Sequence, residues 1–354
     1  MIQSSFWKGK RVLITGHTGF KGSWLSIWLH YLGAKVSGLS LKPNTTPSMF
    51  ELTGLEQKIT SIYGDITDIN IVKHAFDVLK PEIVIHMAAQ TLVRYSYENP
   101  LETYRTNILG LINVFEIIKS SSEVKVVLNI TSDKCYQNNA KNIGFRENDP
   151  MGGNDPYSCS KGCAELITSS YRQSFFDHKD LALASARAGN VIGGGDWAQD
   201  RLIPDIIKAF MANETVVIRN PNAIRPWQHV LEPLSGYLIL CQKLYLHGSE
   251  YAQGWNFGPV GENMEPVSTL VKILADQWYG QAQYKFDTIP SDLHEAHCLR
   301  LDSSKSNSLL SWSPYWSLQT ALEKTVHWYQ AYQHNENVYN KTLEQIQEYM
   351  QQYD

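Results

Sequence analysis

The sequence contains no run of 18 or more apolar residues, so no ordinary helical membrane span is expected. It also lacks an excess of charge of either sign, with 31 basic residues against 35 acidic ones and a net charge of -4. That balance argues against a nucleic-acid surface and against a polybasic membrane patch. Cysteine is scarce and odd in number. Cys135, Cys159, Cys163, Cys241 and Cys298 follow no repeating spacing, which argues against a disulfide framework. Cys159 and Cys163 would stand one helical turn apart, but no paired Cys or His motif accompanies them, and no metal site is expected. The first ten residues run straight into a strand-like segment and leave no room for a secretory leader. A reducing cytoplasm is the expected location.

What is present suits a globular protein. Hydrophobic residues make up 43% and charged residues 19% of 354 positions, enough for one large or two modest domains. Arg11–Thr15 is a short apolar run closed by Gly16, the pattern of a buried parallel strand. A helix is predicted over 21–32, with Gly33 in the capping position. Further strands are predicted at 36–39, 59–63, 82–86, 124–130 and 181–186. Strands alternating with helices imply an α/β, Rossmann-type, doubly wound parallel sheet.

After about residue 188 the alternation weakens, and Pro, Asn, Gly and Arg become frequent between 190 and 225. A helix near 231–246, a strand near 254–257 and helices near 267–279 and 318–332 follow, then a polar tail over 337–354 that is expected to be helical. Residues 1–188, with a returning segment near 229–260, are read as a dinucleotide-binding domain. Residues 189–228 and 261–354 are read as a smaller C-terminal substrate domain.

Gly16-His17-Thr18-Gly19-Phe20-Lys21-Gly22 follows the first strand and opens the first helix. Glycines at this spacing permit a tight turn and let backbone N–H groups approach a pyrophosphate at the positive helix N-terminus. Strand before and helix after are the context that such a loop requires. Lys21 and His17 are expected to add positive charge beside the pyrophosphate. The carboxylate that usually ends the second strand and binds the adenosine ribose is missing, since the stretch reads Gly38-Leu39-Ser40-Leu41-Lys42. The residues alone therefore leave NAD and NADP both open, with Lys42 available to a 2′-phosphate. Asp65 and Ile66, at the end of the third strand, are expected to contact adenine.

Tyr157-Ser158-Cys159-Ser160-Lys161 sets a phenol and an ammonium four residues apart on one helix face. A nearby Lys cation favours the phenolate, so Tyr157 is a candidate base, and both residues are expected to touch the cofactor as well. Ser132-Asp133-Lys134 sits just past the fifth strand, at the carboxyl end of the sheet where ligands bind. Ser132 can hydrogen-bond a reacting oxygen. Asp133 and Lys134 exceed what a simple dehydrogenase or epimerase needs and suggest a second bond-breaking event; the plain alternative for Asp133 is an Asx turn.

The glycine loop with Ser132, Tyr157 and Lys161 resembles the extended short-chain dehydrogenase/reductase family. Ser132-Asp133-Lys134-Cys135-Tyr136 resembles the Thr-Asp-Glu-Val-Tyr motif of its nucleotide-sugar 4,6-dehydratases. Arg187-Ala-Gly-Asn-Val-Ile-Gly-Gly-Gly-Asp-Trp197 and Arg225-Pro-Trp-Gln-His-Val230 extend the likeness over most of the chain. The resemblance implies bound NAD, CDP-glucose as substrate and a 4-keto-6-deoxy product of the kind used for O-antigen dideoxyhexoses in lipopolysaccharide. It further implies that Asp133 is the acid for the carbon 6 hydroxyl. Lys134 departs from the related pattern, where a Glu serves as base, so the pair is assigned jointly to elimination. Asn190, Arg201, Arg219 and Arg225, with Arg94 after the fourth strand, are candidates for the substrate's sugar and diphosphate. A homodimer is implied, with a tetramer as the other possibility. Two other readings stay open: a nucleotide-sugar 4-epimerase, and a catalytically silent dinucleotide-binding protein.

Overall fold

In the computed structural model, β1 (Arg11–Thr15) is buried at four of its five positions, and neighbouring side chains enter different cores. Val12 and Ile14 join one hydrophobic cluster and Leu13 the other. A strand covered on both faces loses the polar alternation of a half-exposed one, which is why the sequence reads as one continuous apolar run. The structure describes residues 1–138, 143–177, 180–259, 264–280, 282–287 and 299–353. Cys298 lies outside them.

The strands that follow are β2 (Lys35–Ser40), β3 (Thr60–Tyr63), β4 (Ile83–His86), β5 (Val126–Ile130), β6 (Ala182–Ala188), β7 (Asn190–Ile192), β8 (Val216–Ile218), β9 (Ile224–His229), β10 (Gly254–Phe257), β11 (Met264–Pro266) and β12 (Tyr284–Phe286). Six of them join β1 in one seven-stranded sheet in the order β10-β6-β5-β4-β1-β2-β3. Every pairing in it is parallel. The order reverses between β1 and β4, the switch point at which open α/β sheets bind ligands beyond their carboxyl ends.

One face of the sheet is covered by the helices Phe20–Tyr31 and Leu231–His247, through Trp24, Trp28, Leu234 and Leu238. The helices Ile69–Leu79, Leu111–Ser120 and Pro156–Tyr171 cover the other through Phe76, Phe115 and Ala164. Gly33 adopts φ +80 after the first of these helices, the left-handed turn expected of it.

The later part of the chain adds small sheets. β7 pairs with β9 in parallel, setting Asn190 opposite Trp227. β9 pairs with β11 antiparallel, and β8 with β12 in parallel. The polar tail forms the helix Val338–Met350. It packs back on the first helix, where Trp28 Nε1 donates to Met350 Sδ at 3.3 Å and the Trp28 ring meets Tyr349 edge-on.

Candidate active site

The glycine loop is a cradle that side chains would fill. A Cβ on Gly22 would stand 2.2 Å from the Gly16 carbonyl oxygen, and one on Gly16, at φ +77, would meet the Ala88 backbone at 2.8 Å. Gly19 is the N-cap of the helix Phe20–Tyr31, whose first turn has no side-chain cap. A helix N-terminus in this state, with backbone this close, fits a dinucleotide's pyrophosphate. At the end of β2 the hydroxyls of Thr18 and Ser40 lie 2.8 Å apart, and Thr18 Oγ1 donates to the Leu41 carbonyl at 2.9 Å. Neutral hydroxyls thus stand where a ribose-binding carboxylate was missing from the sequence. Lys42 is exposed.

Two loop side chains differ from expectation. His17 does not supply positive charge to the pyrophosphate. Its ring is fully buried against β2, in the space that a Cβ on Gly38 would need, and Nε2 lies 3.0 Å from Ser61 Oγ. Burial pushes its pKa down to about 4, so the imidazole is neutral. Lys21 turns toward the helix Leu231–His247, within range of the Lys161 charge. Its Nζ donates to the Tyr237 hydroxyl at 3.3 Å. Burial, together with the charges of Arg201 and Lys161, lowers its pKa to about 7 against the opposing pull of Asp133.

Asp155 and Pro156 start the catalytic helix. Asp155 accepts from the Ser158 N–H at 2.9 Å as N-cap, and Pro156 occupies the first turn, where it costs no hydrogen bond. Tyr157 is anchored by its own N–H, which donates to Ser96 Oγ at 3.2 Å. Burial pushes the phenol up to about 12, helped by Asp133 and Asp155, while a hydrogen bond with Ser132 and the charge of Arg201 pull it down. The expected net lowering by a lysine is therefore not a property of the protein alone, because desolvation outweighs the donors. Lys161 is buried, Nζ donating to the Ile130 carbonyl at 3.2 Å, and burial lowers its pKa to about 8 against the pull of Glu165.

β5 ends at Ile130, and Ser132 caps the short turn Asp133–Cys135 by accepting from the Lys134 N–H at 3.2 Å. Its hydroxyl donates to Asp133 Oδ1 at 3.0 Å. Asp133 is 5% exposed. Loss of solvation raises its pKa, and Lys134, the Ser132 hydroxyl and Arg225 only partly reverse that. A carboxyl held toward its protonated form can act as an acid. Ser132, Asp133, Tyr157, Lys161 and Lys21 thus lie within reach of one another's charges and hydrogen bonds, with Lys134 half-buried beside them.

The arginines separate. Arg201 is held by Asp196 at 3.0 Å and by Thr91 at 3.0 Å, with its charge felt at Tyr157. Arg225, on β9, acts electrostatically on Asp133. Asn190 lies opposite Trp227 in the neighbouring strand. Arg94 sits at the rim, 3.7 Å from Asp200, both substantially exposed. Arg219 is exposed just past β8, its charge acting on Asp205, and the structure does not bring it to the catalytic groups. Asp65 accepts from the Thr67 N–H at 2.8 Å in an Asx turn, and the Ile66 side chain fills the space over Gly110.

Sequence reasoning missed the supports. Asn107 donates to Ser160 Oγ at 2.8 Å and accepts from the Gln90 N–H at 2.8 Å, tying the loop after β4 to the catalytic helix. Ser96 and Thr91 hold Tyr157 and Arg201 from distant segments, and nothing in their local sequence announces it, while Asp196 holds Arg201 from five residues away. Glu165 carried a signal: a charge four residues beyond Lys161, on the same buried helix face.

A family model for GDP-mannose 4,6 dehydratase matches residues 13–325. The CDP-glucose 4,6-dehydratase of Salmonella typhimurium is 51% identical to the chain, covering 99% of both. UDP-glucuronate 4-epimerase 4 of Arabidopsis thaliana is 28% identical, over 94% of this chain and 78% of that one. The structure of a dTDP-glucose 4,6-dehydratase from Streptomyces venezuelae, with NAD bound, superimposes with a TM-score of 0.77 over 92% of this chain and 98% of that one; at 21% identity it shows the shared fold.

Proposed function

The chain belongs to the GDP-mannose 4,6 dehydratase family, and we propose that it converts CDP-glucose to CDP-4-keto-6-deoxyglucose with NAD retained in the site. The single observation that carries this reading is the buried Asp133, its pKa raised, in hydrogen-bond contact with Ser132 of the Ser132/Tyr157/Lys161 set. A 4-epimerase has no use for such an acid. The 51% identity to a CDP-glucose 4,6-dehydratase supports the same choice of substrate.

Gly16, Gly19, Phe20 and Gly22 would hold the pyrophosphate by backbone, with Lys21 at the catalytic end. Thr18 and Ser40 would meet the adenosine ribose, and Asp65 and Ile66 the adenine. When bound, NAD would supply a hydride acceptor at carbon 4 and then a hydride donor for carbon 6, with a proton added at carbon 5 to complete the reduction.

The chain's own residues handle the protons. Tyr157 takes the proton of the carbon 4 hydroxyl, while Ser132 hydrogen-bonds that oxygen and Lys161 favours the phenolate. A positive nicotinamide ring beside Tyr157 would offset the burial that otherwise holds the phenol neutral. The new ketone acidifies the carbon 5 proton, and Asp133 and Lys134 serve its removal and the departure of the carbon 6 hydroxyl as water. Asp133 donates to the leaving hydroxyl, and Lys134 takes the carbon 5 proton when neutral or stabilises the enolate charge while another group takes that proton. Asn190, Arg201 and Arg225 bind the sugar diphosphate, with Arg94 at the rim. Holding the intermediate until hydride returns relies on binding energy from the nucleotide end.

We assign residues 1–188 and the returning segment near 229–260 to the cofactor and the rest to the substrate. A homodimer in the cytoplasm and a role ahead of deoxyhexose formation complete the reading. The test is to incubate the protein with CDP-glucose and NAD. A 4-keto-6-deoxy product with no net reduced cofactor is expected. CDP-galactose alone, or reaction only with UDP- or dTDP-glucose, would overturn the activity or the nucleotide assignment respectively.

A further inference from the structure

Glu165 and Arg187 form an ion pair at 2.8 Å whose side chains are 4% and 5% exposed, and the catalytic steps above use neither. Such a pair is a poor choice for stability alone. Desolvating two charges is costly, and apolar residues of similar size commonly do as well. The partners of this pair point to another purpose. The Glu165 carboxylate accepts from Thr131 Oγ1, from Ser185 Oγ at 2.7 Å and from Arg187 Nη2 at 2.8 Å. Arg187 Nη1 donates to the Tyr136 hydroxyl at 2.5 Å, which in turn donates to Asn256 Oδ1 at 2.7 Å on β10. The Tyr136 ring is stacked on Phe145 at 5.0 Å and lies under the Arg187 guanidinium, so its position is set from three sides.

Thr131 immediately precedes Ser132, and Tyr136 immediately follows the turn Asp133–Cys135. One buried ion pair therefore grips both ends of the segment that carries Ser132, Asp133 and Lys134. Glu165 also stands one helical turn beyond Lys161 and is the strongest influence keeping that lysine charged against burial. Burial alone would raise the pKa of Glu165; Arg187 and the two hydroxyl donors more than offset it, and the carboxylate stays ionised.

We propose that Glu165 and Arg187 are positioning residues that hold the elimination pair Asp133/Lys134 in register with the hydride-transfer pair Tyr157/Lys161. The two stages of the reaction need the same sugar to face both pairs in turn without leaving. A rigid tie between the catalytic helix and the turn after β5 meets that need, because an ångström of slack would be felt at the second stage.

The inference rests on the proposed activity, and its test has one arm that does not. Thr131→Val and Tyr136→Phe each remove one tether and leave the ion pair intact. In single turnovers of the NAD-loaded enzyme with CDP-glucose, hydride abstraction should stay within about twofold of wild type. Dehydration should slow by roughly 2- to 10-fold for each lost hydrogen bond, so that reduced nicotinamide accumulates transiently. Equal slowing of both phases, or no change in either, would overturn the proposal. In the second arm, Glu165→Gln combined with Arg187→Met removes both charges of the pair together. Competitive acetylation of Lys161 against pH, read by mass spectrometry on the protein alone, should show its midpoint falling below the wild-type value. An unchanged midpoint would sink the electrostatic half of the inference. Failure of the wild type to make a 4-keto product would count against the proposed activity, and the labelling arm would still decide whether Glu165 supports Lys161.

Discussion

The Ser132 hydroxyl donates to Asp133 Oδ1 at 3.0 Å, so the residue suited to hydride transfer touches the residue suited to elimination. Both stages of the proposed reaction therefore meet at one oxygen–oxygen contact, on a turn of three residues.

Asp133→Asn keeps the shape of that contact and removes the acid. Elimination should fall by about 10²- to 10⁴-fold, the usual worth of a positioned acid, while hydride abstraction changes far less. Single-turnover traces would show reduced nicotinamide forming at close to the normal rate and then persisting. Equal loss of both phases would mean that Asp133 acts on both.

Lys21, with its pKa lowered to about 7, should be largely neutral above that pH in the ligand-free protein. The sign for stability follows from the direction. A lysine whose pKa falls on folding binds fewer protons in the native state, so its contribution grows as pH rises from about 7 toward 10.5 and is lost on acidification. Competitive acetylation should place the Lys21 midpoint near neutrality, and Lys21→Met should flatten this part of the stability profile. A midpoint matching that of the denatured chain would refute the placement.

Glu232 provides a second pH test, away from the site. It is fully buried at the start of the helix Leu231–His247, where it accepts from the Tyr315 and Trp316 N–H groups at 2.9 and 2.8 Å and from the Tyr349 hydroxyl at 2.5 Å. Burial raises its pKa to about 7 in spite of these donors. The native state then binds the extra proton, so stability should decline as pH climbs from about 4.5 to 7, by at most about 3 kcal/mol. Urea midpoints at both ends of that window should differ in wild type and converge in Glu232→Gln. Parallel behaviour of the two proteins would exclude Glu232 as the source.

Gly22→Ala tests the cradle. The added Cβ would lie 2.2 Å from the Gly16 carbonyl oxygen, a backbone atom that cannot swing aside. Affinity for NADH, followed by its fluorescence, should drop by ~10-fold or more, since a loss of ~1.4 kcal/mol suffices for that. Unchanged affinity would mean that the loop does not hold the dinucleotide by close backbone approach.

Much of this protein was legible from its residues. The apolar runs at 11–15, 82–86 and 124–130 became β1, β4 and β5 because parallel strands covered on both faces have little freedom to be anything else. Gly16–Gly22 announced the cradle, as its geometry depends on missing side chains at three positions within seven consecutive residues. Tyr157, Lys161, Ser132 and Asp133 were legible too, each lying on a single local element.

Sequence alone thus determined the sheet, the loop and the candidates for the reacting groups, since each depends on short-range spacing. Tertiary structure decided their charge states and which candidates meet. It sank His17 beneath β2 as a neutral ring, turned Lys21 toward Lys161, set an exposed Arg219 beside Asp205 and tied Glu165 to Thr131 directly and to Tyr136 through Arg187. The reason is physical: desolvation and through-space charge depend on what lies within a few ångströms, and those neighbours come from residues as far apart as 21 and 237.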